Sequence, residues 1–427
     1  MEILRPILSL VLLLGVLWLA SSNRKAISWP LVIKGLLIQF GLAFLILEID
    51  WISNGFDFIG KGFVSLLGFA REGSLFLFGD LVGNVDSFGY IFAFQVLPTI
   101  IFFSAITSLL FHFGILQRVV FVFAWFMKRT LKLSGAESLS AAANVFVGQT
   151  EAPLLVKPYI EKMTRSELLC LMSGGMSTIA GAVLAAYINY LGGDDPERQI
   201  FFARHLIAAS VMSAPAAIVG AKMLMPETEK FVDSAEVEIE KQDNWLEAIA
   251  HGTADGLKMA VNVGVMLLVF TAIIALVNAL MSGAIGSWTG LNEFLESSTS
   301  GRYTEFNLQS IFGLVLAPLT WLMGVPWADA AAVGQLLGEK TVLNEFYAYV
   351  SMEGLMNSGQ LSSEKAQILS TYILCGFANF ASIGIQIGGI GALAPNRRKD
   401  LSQLGIRALL AGTAASLFTA ILVGILY

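Results

Sequence analysis

Long apolar runs recur along the whole 427-residue chain, and they constrain the fold more than any other feature. The hydrocarbon core of a bilayer is spanned by roughly 20 apolar residues in a helix. Eight runs are near this length, so the sequence predicts an all-α integral membrane protein with eight transmembrane helices. The runs are residues 3–21, 29–47, 89–113, 168–191, 200–224, 257–282, 367–391 and 404–426.

The composition agrees with a membrane protein and excludes several other classes. The chain is 56% hydrophobic and 14% charged, with a mean hydropathy of +0.72, whereas soluble domains are about 25% charged. A net charge of -6 without a basic stripe argues against a nucleic-acid partner. No serine-hydrolase or zinc-protease motif is present, so no enzymatic activity and no cofactor are predicted. Cys170 and Cys375 lie in apolar segments and are expected to be free thiols.

The distribution of lysine and arginine predicts the orientation in the membrane. If the basic loops are cytoplasmic, eight spans alternate consistently with both termini outside, in the inner (plasma) membrane of the cell. The first run is predicted to be retained as a helix, because its start is too weakly basic for a signal peptide. Between the second and third runs, segment 56–82 has an amphipathic pattern that favours an interfacial helix over a poor transmembrane helix. The basic residues are Arg24, Lys25, Arg118, Lys128, Arg129, Lys132, Lys157, Lys162, Arg165 and Arg397 to Lys399.

Two carboxylates, Glu151 and Glu345, lie in apolar sequence where an ionisable group costs a few kcal/mol or more. Such groups usually face a cavity and have a function. A purely structural alternative pairs Glu151 with Lys157 and Glu345 with Lys340. Because these lysines are nearer the ends of their segments, we expect them to extend to the membrane interface instead.

The two glutamate segments belong to an apparent internal repeat. Trp125 precedes Glu151, and Trp321 precedes Glu345, at nearly equal spacing. Cys170 and Cys375 also precede small or polar residues at identical offsets. The glutamate segments fall on opposite sides of the predicted membrane, which is typical of inverted-repeat transporters. The predicted units are a scaffold (1–87), a first repeat with hairpin 1 (88–225), a cytoplasmic connector (226–256) and a second repeat with hairpin 2 (257–427).

Each glutamate segment is predicted to form a re-entrant hairpin of two short helices. In the first, Gly148 and Pro153 interrupt the helical pattern. Free carbonyls at such a break suit a hard cation such as Na⁺, and Asn, Gln and Glu side chains suit a neutral solute with hydroxyl groups. No Lys or Arg lies between residues 134 and 156 or between 341 and 364, so the centre is predicted to lack a fixed cation. That absence argues against a carboxylate- or phosphate-bearing substrate.

Three segments resemble the signature sequences of the concentrative nucleoside transporter family in its bacterial eight-helix form. They are Gly148-Gln-Thr-Glu-Ala-Pro-Leu154, Asn344-Glu-Phe346 and Gly376-Phe-Ala-Asn-Phe-Ala-Ser-Ile-Gly384, and the resemblance covers essentially the full chain. It implies a homotrimer in the lipid bilayer that imports nucleosides such as uridine, cytidine and adenosine with Na⁺ by alternating access. It also implies interfacial helices before the two hairpins, at residues 113–128 and 307–323.

The resemblance further implies a role for individual residues. The substrate would be contacted by Gln149, Thr150 and Glu151 at the base, by Glu345, Asn379 and Ser382 at the ribose, and by Val183 and Phe377. Na⁺ would be held by Asn144, Val147, Thr178 and Ile179. Proton coupling, or another neutral polyhydroxy solute, remains an alternative, and the sequence leaves open a preference for purines or pyrimidines.

Overall fold

A computed structural model describes residues 3–193, 195–229 and 244–427, and these residues are helical with no β-strand. Residues 230–243 of the predicted connector lie outside this range, as does Asp194. The helices of the first half are α1 Leu4–Ala20, α2 Trp29–Glu48, α3 Asp50–Phe78, α4 Asp80–Gly83, α5 Val85–Phe88, α6 Phe92–Gln95, α7 Leu97–His112, α8 Ile115–Leu131, α9 Gly135–Asn144, α10 Lys157–Ile160, α11 Arg165–Ser177, α12 Gly181–Gly192 and α13 Pro196–Leu224.

The second half continues in the same way, and α14 begins inside the predicted connector. Short 3₁₀ turns span Arg24–Ala26, Ala152–Val156 and Pro395–Arg397, and a π-helical turn spans Leu280–Gly286. The remaining helices are α14 Trp245–Ala279, α15 Ser287–Thr289, α16 Leu291–Ser298, α17 Leu308–Leu322, α18 Trp327–Val342, α19 Glu345–Asn357, α20 Glu364–Leu374, α21 Phe380–Leu393 and α22 Arg398–Leu426.

Several helices are long and apolar enough to cross a bilayer. Within the described residues there are six such helices, or seven if α17 and α18, which are bent by 118° relative to each other, count as one span. The predicted first span is a 17-residue helix, α1. These elements agree with a multi-pass helical membrane protein, and the count of eight spans stays a prediction.

Two of the predicted spans are broken rather than continuous. The run 168–191 is divided between α11 and α12, with extended backbone at Thr178, and the run 367–391 is divided between α20 and α21. The two breaks are in contact. Gly376 has a φ of +97°, and a Cβ there would lie 2.5 Å from the carbonyl carbon of Ser177. Only glycine fits this crossing, because it tolerates both the positive φ and the close backbone.

The ends of α11 and α20 give a register between the two predicted repeats that differs from the one based on the cysteines. Cys375 caps the end of α20 at its break, whereas Cys170 lies in the middle of α11. The residue at the corresponding break of α11 is Thr178. The equal offsets after Cys170 and Cys375 therefore do not mark equivalent positions, although both cysteines are buried and free as predicted.

Two ion pairs fix the elements around the first hairpin. The ammonium of Lys222 on α13 lies 2.5 Å from the carboxylate of Glu137 on α9, and both are buried. Arg204 on α13 donates two hydrogen bonds, at 2.6 and 2.7 Å, to Asp57 on α3. Helix α13 is almost entirely buried. The two ion pairs attach both α3, the predicted interfacial helix, and α9 of hairpin 1 to it. The place of α3 at the membrane interface stays a prediction.

Helix α14 packs closely along α7 through glycines. A Cβ at Gly252 would lie 2.8 Å from the Cα of Ala105, and a Cβ at Gly256 would lie 2.8 Å from the Cα of Ile101. Small residues allow this approach of two backbones in the membrane. As a result, α14 lies beside the cavity described below, and Asp255, Lys258 and Asn262 line it.

Candidate solute-binding site

A cavity of about 490 Å³ lies between the two hairpins, the broken helices and α14. This volume is in the range of small-molecule sites. All eight residues predicted to contact the substrate line it: Gln149, Thr150, Glu151, Val183, Glu345, Phe377, Asn379 and Ser382.

Hairpin 1 begins with a well-capped helix and ends in a tight, irregular tip. The hydroxyl of Ser134 accepts from the amide of Glu137, whose carboxylate accepts from the amide of Ser134. This capping box fixes the start of α9. At the other end the amide of Gly148 donates to the carboxylate of Glu151 at 3.1 Å instead of continuing the helix. The carboxylate of Glu151 therefore stabilises the tip through this hydrogen bond and also lines the cavity.

Hairpin 2 delivers Glu345 at the first position of α19. The side chain of Asn344 caps this helix by accepting from the amide of Tyr347 at 2.8 Å. The buried carboxylate of Glu345 accepts hydrogen bonds from the hydroxyl of Tyr187 at 3.1 Å and from the side-chain amide of Asn379 at 2.9 Å. A carboxylate at a helix N-terminus with two donors is stabilised without a cation.

Asn379 both binds Glu345 and caps α21, because its side-chain amide has a donor nitrogen and an acceptor oxygen. Its nitrogen donates to Glu345, and its oxygen accepts from the amide of Ser382 at 2.9 Å, which caps α21. Three helices, α12, α19 and α21, thus begin at or next to the cavity wall. Their N-terminal partial charges make the cavity less negative than its two glutamates suggest.

The two halves of the chain are joined across the cavity by side-chain amides. Gln149 of hairpin 1 donates to the hydroxyl of Ser382 at 3.3 Å. Its oxygen accepts from the side chain of Gln386 at 3.1 Å, and Gln386 also donates to the carbonyl of Met172 at 2.9 Å. Gln386 is only 1% exposed and was not predicted. The sequence feature that could have indicated its role is the presence of a glutamine in an otherwise apolar helix, α21.

The residues predicted to hold Na⁺ meet at the tip of hairpin 1 and the break between α11 and α12. The amide of Gly181 donates to the carbonyl of Phe146 at 3.1 Å, which joins these segments. Asn144 is 1% exposed, and its side-chain oxygen has no hydrogen-bond partner. An unpartnered buried oxygen beside irregular backbone suits a small hard cation. Val147, Thr178 and Ile179 are also buried here.

Comparisons with known proteins identify the family. The description "Na+ dependent nucleoside transporter" applies to models that match residues 8–81 (N-terminus) and 205–424 (C-terminus), and a "Nucleoside recognition" model matches residues 93–193. An uncharacterised transporter of Haemophilus influenzae is 43% identical over all of this chain and 98% of its own length. The chain belongs to the Na⁺-dependent nucleoside transporter family. Its relatives are transporters, which confirms the prediction that it is not an enzyme.

Other relatives extend the comparison. Sodium/nucleoside cotransporter 1 of Rattus norvegicus is 41% identical over 97% of this chain, which spans 62% of the rat protein. The structure of CNTnw in an inward-facing substrate-bound state is 38% identical, with a TM-score of 0.90 over 100% of this chain and 98% of that one. A CNTnw variant in an outward-facing state has a TM-score of 0.89 over the same shares, at 37% identity. The predicted family is therefore confirmed.

In this nucleoside transporter family member, α14 contributes a wall of the cavity that the sequence reasoning missed. Asp255, Lys258 and Asn262 line it at helical spacing, together with Met259 and Met266. Three polar residues on one face of an apolar helix indicate that this face lines a cavity, and this pattern can be read from the sequence. The ammonium of Lys258 lies 3.7 Å from the carboxylate of Asp255, and both side chains are largely exposed.

The expectation for Lys340 was wrong. Lys340 is fully buried instead of extending to the interface, and its ammonium donates to the carbonyls of Ile373 at 2.8 Å and Cys375 at 3.0 Å and to Ser416 at 3.0 Å. It thus caps the broken end of α20, where carbonyls lack helical partners. Because Lys340 is a buried cation, the inference that the centre lacks fixed cations is corrected, and the largely exposed Lys258 lines the cavity as well. Neither lysine bonds to Glu345 within the described residues.

Proposed function

We propose that the chain is a symporter that imports nucleosides driven by the Na⁺ gradient. The observation that carries this proposal is the Glu345 carboxylate, which is held by Tyr187 and Asn379 at a cavity and is bonded to no cation among the described residues. A fixed carboxylate pairs well with the two vicinal hydroxyls of a ribose. The family supports both the solute class and the coupling ion.

The opposite wall of the cavity fits a nucleobase. Gln149 and Glu151 present an amide and a carboxylate at the tip of hairpin 1, and Val183 and Phe377 supply apolar surface. Amides and carboxylates pair with the ring N–H and carbonyl groups of a base, while flat apolar surface packs on its faces. In this proposal Glu345, Asn379 and Ser382 hold the ribose, and Gln149, Thr150 and Glu151 recognise the base.

Na⁺ is proposed to bind next to the base. The unpartnered oxygen of Asn144 and the hydroxyl of Thr178 would be ligands, with backbone carbonyls of Val147 and Ile179. The ion would tie the tip of hairpin 1 to the break between α11 and α12 and so order Gln149 and Glu151. Na⁺ would then raise nucleoside affinity, and the nucleoside would raise Na⁺ affinity by the same factor.

Transport is proposed to move the hairpins and broken helices relative to a scaffold. The predicted units are retained here as proposals, with both termini outside, eight spans and a homotrimer in the plasma membrane. The exposed apolar residues of α14, such as Leu268 at 72% and Leu276 at 61%, provide surface for lipid or for a neighbouring copy.

Equilibrium binding to the purified protein tests the site and the ion together. We expect uridine to bind more tightly in NaCl than in choline chloride, and uracil, which lacks the ribose, to compete weakly. Thr178→Val should raise the Na⁺ concentration needed for half-maximal uridine binding, whereas Thr178→Ser, which keeps the hydroxyl, should not. Equal competition by uracil and uridine would reject the ribose role, and equal Na⁺ dependence in both variants would reject Thr178 as a ligand.

A further inference from the structure

Glu339 is a buried carboxylate that the proposed transport site does not use. It lies on α18 in hairpin 2, six residues before Glu345, and is 1% exposed. It does not line the cavity between the hairpins. Burying a carboxylate is costly unless it is paired or neutralised, so its presence calls for a physical explanation.

The surroundings of Glu339 supply hydrogen bonds but leave one oxygen without a partner. Its Oε1 accepts from the side-chain amide of Gln335 at 3.0 Å. Its Oε2 is buried and has no hydrogen-bond partner among the described residues. Ser351 on α19 and Gln309 on α17 nevertheless lie close to the same carboxyl group and stabilise it. The carboxyl group therefore lies among polar side chains, while one of its oxygens lies outside hydrogen-bonding geometry with them.

No cation compensates this carboxylate. The neighbouring Lys340 makes the contact between α18 and α20, where its ammonium donates to Ile373 and Cys375. Adjacent residues on a helix point in different directions, so the Lys340 ammonium cannot bind these carbonyls and also pair with the carboxylate of Glu339. Among the described residues, no ion pair includes Glu339.

The other titratable or charged groups on this side are phenols and one occupied guanidinium. Tyr347 on α19 and Tyr303, in the loop before α17, both face Glu339. The hydroxyl of Tyr303 donates to the carbonyl of Ala331 at 3.3 Å. Next to it, the guanidinium of Arg302 donates to the carbonyl of Ala328. None of these groups neutralises a negative charge on Glu339.

A proton fits the pocket better than a metal cation. The amide of Gln335 presents its nitrogen to the carboxylate, and the oxygen of Gln309 already accepts from Asn278 at 2.8 Å. Few oxygens therefore remain for Na⁺, which binds several oxygen ligands. A protonated carboxyl group instead carries no charge and can donate its hydrogen from Oε2 to a nearby oxygen such as the Ser351 hydroxyl.

We propose that Glu339 is a proton-binding site, and that hairpin 2 packs in the observed position only when this residue is protonated. The proton is a regulatory ligand distinct from the Na⁺ and nucleoside sites proposed above. Deprotonation would leave an unpaired buried charge between α17, α18 and α19 and so shift hairpin 2 away from this position. Uptake should therefore fall as the pH rises through the titration of Glu339, by at most tenfold per pH unit for one proton.

Difference infrared spectroscopy tests the proton directly and does not depend on which solute is carried. We expect the carbonyl band of a protonated carboxylic acid in the wild-type protein, and its loss in Glu339→Gln, which keeps the shape of the neutral acid. The control is Glu353→Gln on α19, a partly exposed carboxylate that accepts from Asn357. An unchanged band in Glu339→Gln would overturn the proposal.

The pH profile of solute uptake at a fixed Na⁺ gradient provides the second measurement. We expect Glu339→Gln to remain active at high pH, with the decline seen in the wild type removed, while Glu353→Gln follows the wild type. A wild-type profile in folded Glu339→Gln would overturn the regulatory role. So would a decrease in the number of Na⁺ ions transported per solute in that variant, because it would identify a cation site.

Discussion

Exchanging Asn379 for aspartate separates the two functions of this side chain. The aspartate keeps an oxygen that accepts from the amide of Ser382, so the cap of α21 is retained, since Asp and Asn cap helices about equally well. It replaces the nitrogen that donates to Glu345 at 2.9 Å with a second carboxylate oxygen. Asn379→Asp therefore changes the chemistry of the site while preserving the local fold.

The size of the effect follows from the lost bond. A hydrogen bond to a charged group contributes about 1.5–3 kcal/mol. Because 1.4 kcal/mol corresponds to tenfold in affinity, Asn379→Asp should weaken uridine binding by roughly 10- to 140-fold at neutral pH. Two carboxylates this close do not both ionise readily, and one of them binds a proton as the pH falls. The shared proton then restores a hydrogen bond, so binding relative to the wild type should recover at low pH.

The assay is uridine binding at saturating Na⁺, measured from pH 5 to pH 8 together with thermal unfolding. Asn379→Ala is the matched comparison, since it loses both the donor and the cap and has no proton to share. We expect Asn379→Asp, which keeps the cap but loses the bond to Glu345, to unfold at a lower temperature than the wild type and a higher one than Asn379→Ala. It should also regain affinity at low pH, which Asn379→Ala should not. Wild-type affinity in Asn379→Asp at pH 8, or the same pH response in both variants, would refute the role assigned to the Asn379–Glu345 bond.

Three further changes probe neighbouring contacts. Tyr187→Phe removes only the hydroxyl that donates to Glu345, so uridine binding should weaken about 10-fold or less while the unfolding temperature changes little; an unchanged Kd would contradict this contact. Lys340→Met leaves two buried carbonyls without their donor and should lower stability by about 2–5 kcal/mol, measured by denaturant unfolding; an unchanged midpoint would contradict the capping role. Gly376→Ala should prevent correct folding, as judged by size-exclusion chromatography, whereas Gly388→Ala, where an added Cβ meets nothing within 4 Å, should behave as wild type.

The sequence predicted the features that depend on composition and local pattern. Apolar runs marked most of the long helices, and the polar residues around Gly148 and Asn344 marked the ends of α9 and α18, while the re-entrant path of both hairpins stays a prediction. The three signature segments contain all of the predicted substrate residues except Val183, and all eight residues line one cavity. These features were readable because a polar residue or a helix break is conspicuous in an apolar sequence.

The sequence could not predict contacts that depend on the register between distant segments. The breaks at Thr178 and Cys375 occur inside runs that are apolar enough for a continuous span, because Ile179 and Ala180 follow the first break and Phe377 and Ala378 follow the second. Lys340 was assigned to the interface, since nothing in its neighbourhood indicates that α20 ends beside it. Lys258 lines the cavity, and Gln386 bonds to Gln149, only because of the faces with which α14 and α21 pack against the rest of the protein.

Uridine uptake into proteoliposomes tests the central claim most directly. With an inward Na⁺ gradient, the wild-type protein should accumulate labelled uridine above its external concentration. Glu345→Gln, reconstituted in equal amount, should abolish or strongly weaken this accumulation. Equal uptake with and without the Na⁺ gradient would contradict Na⁺ coupling, and wild-type uptake by Glu345→Gln would contradict the proposed site.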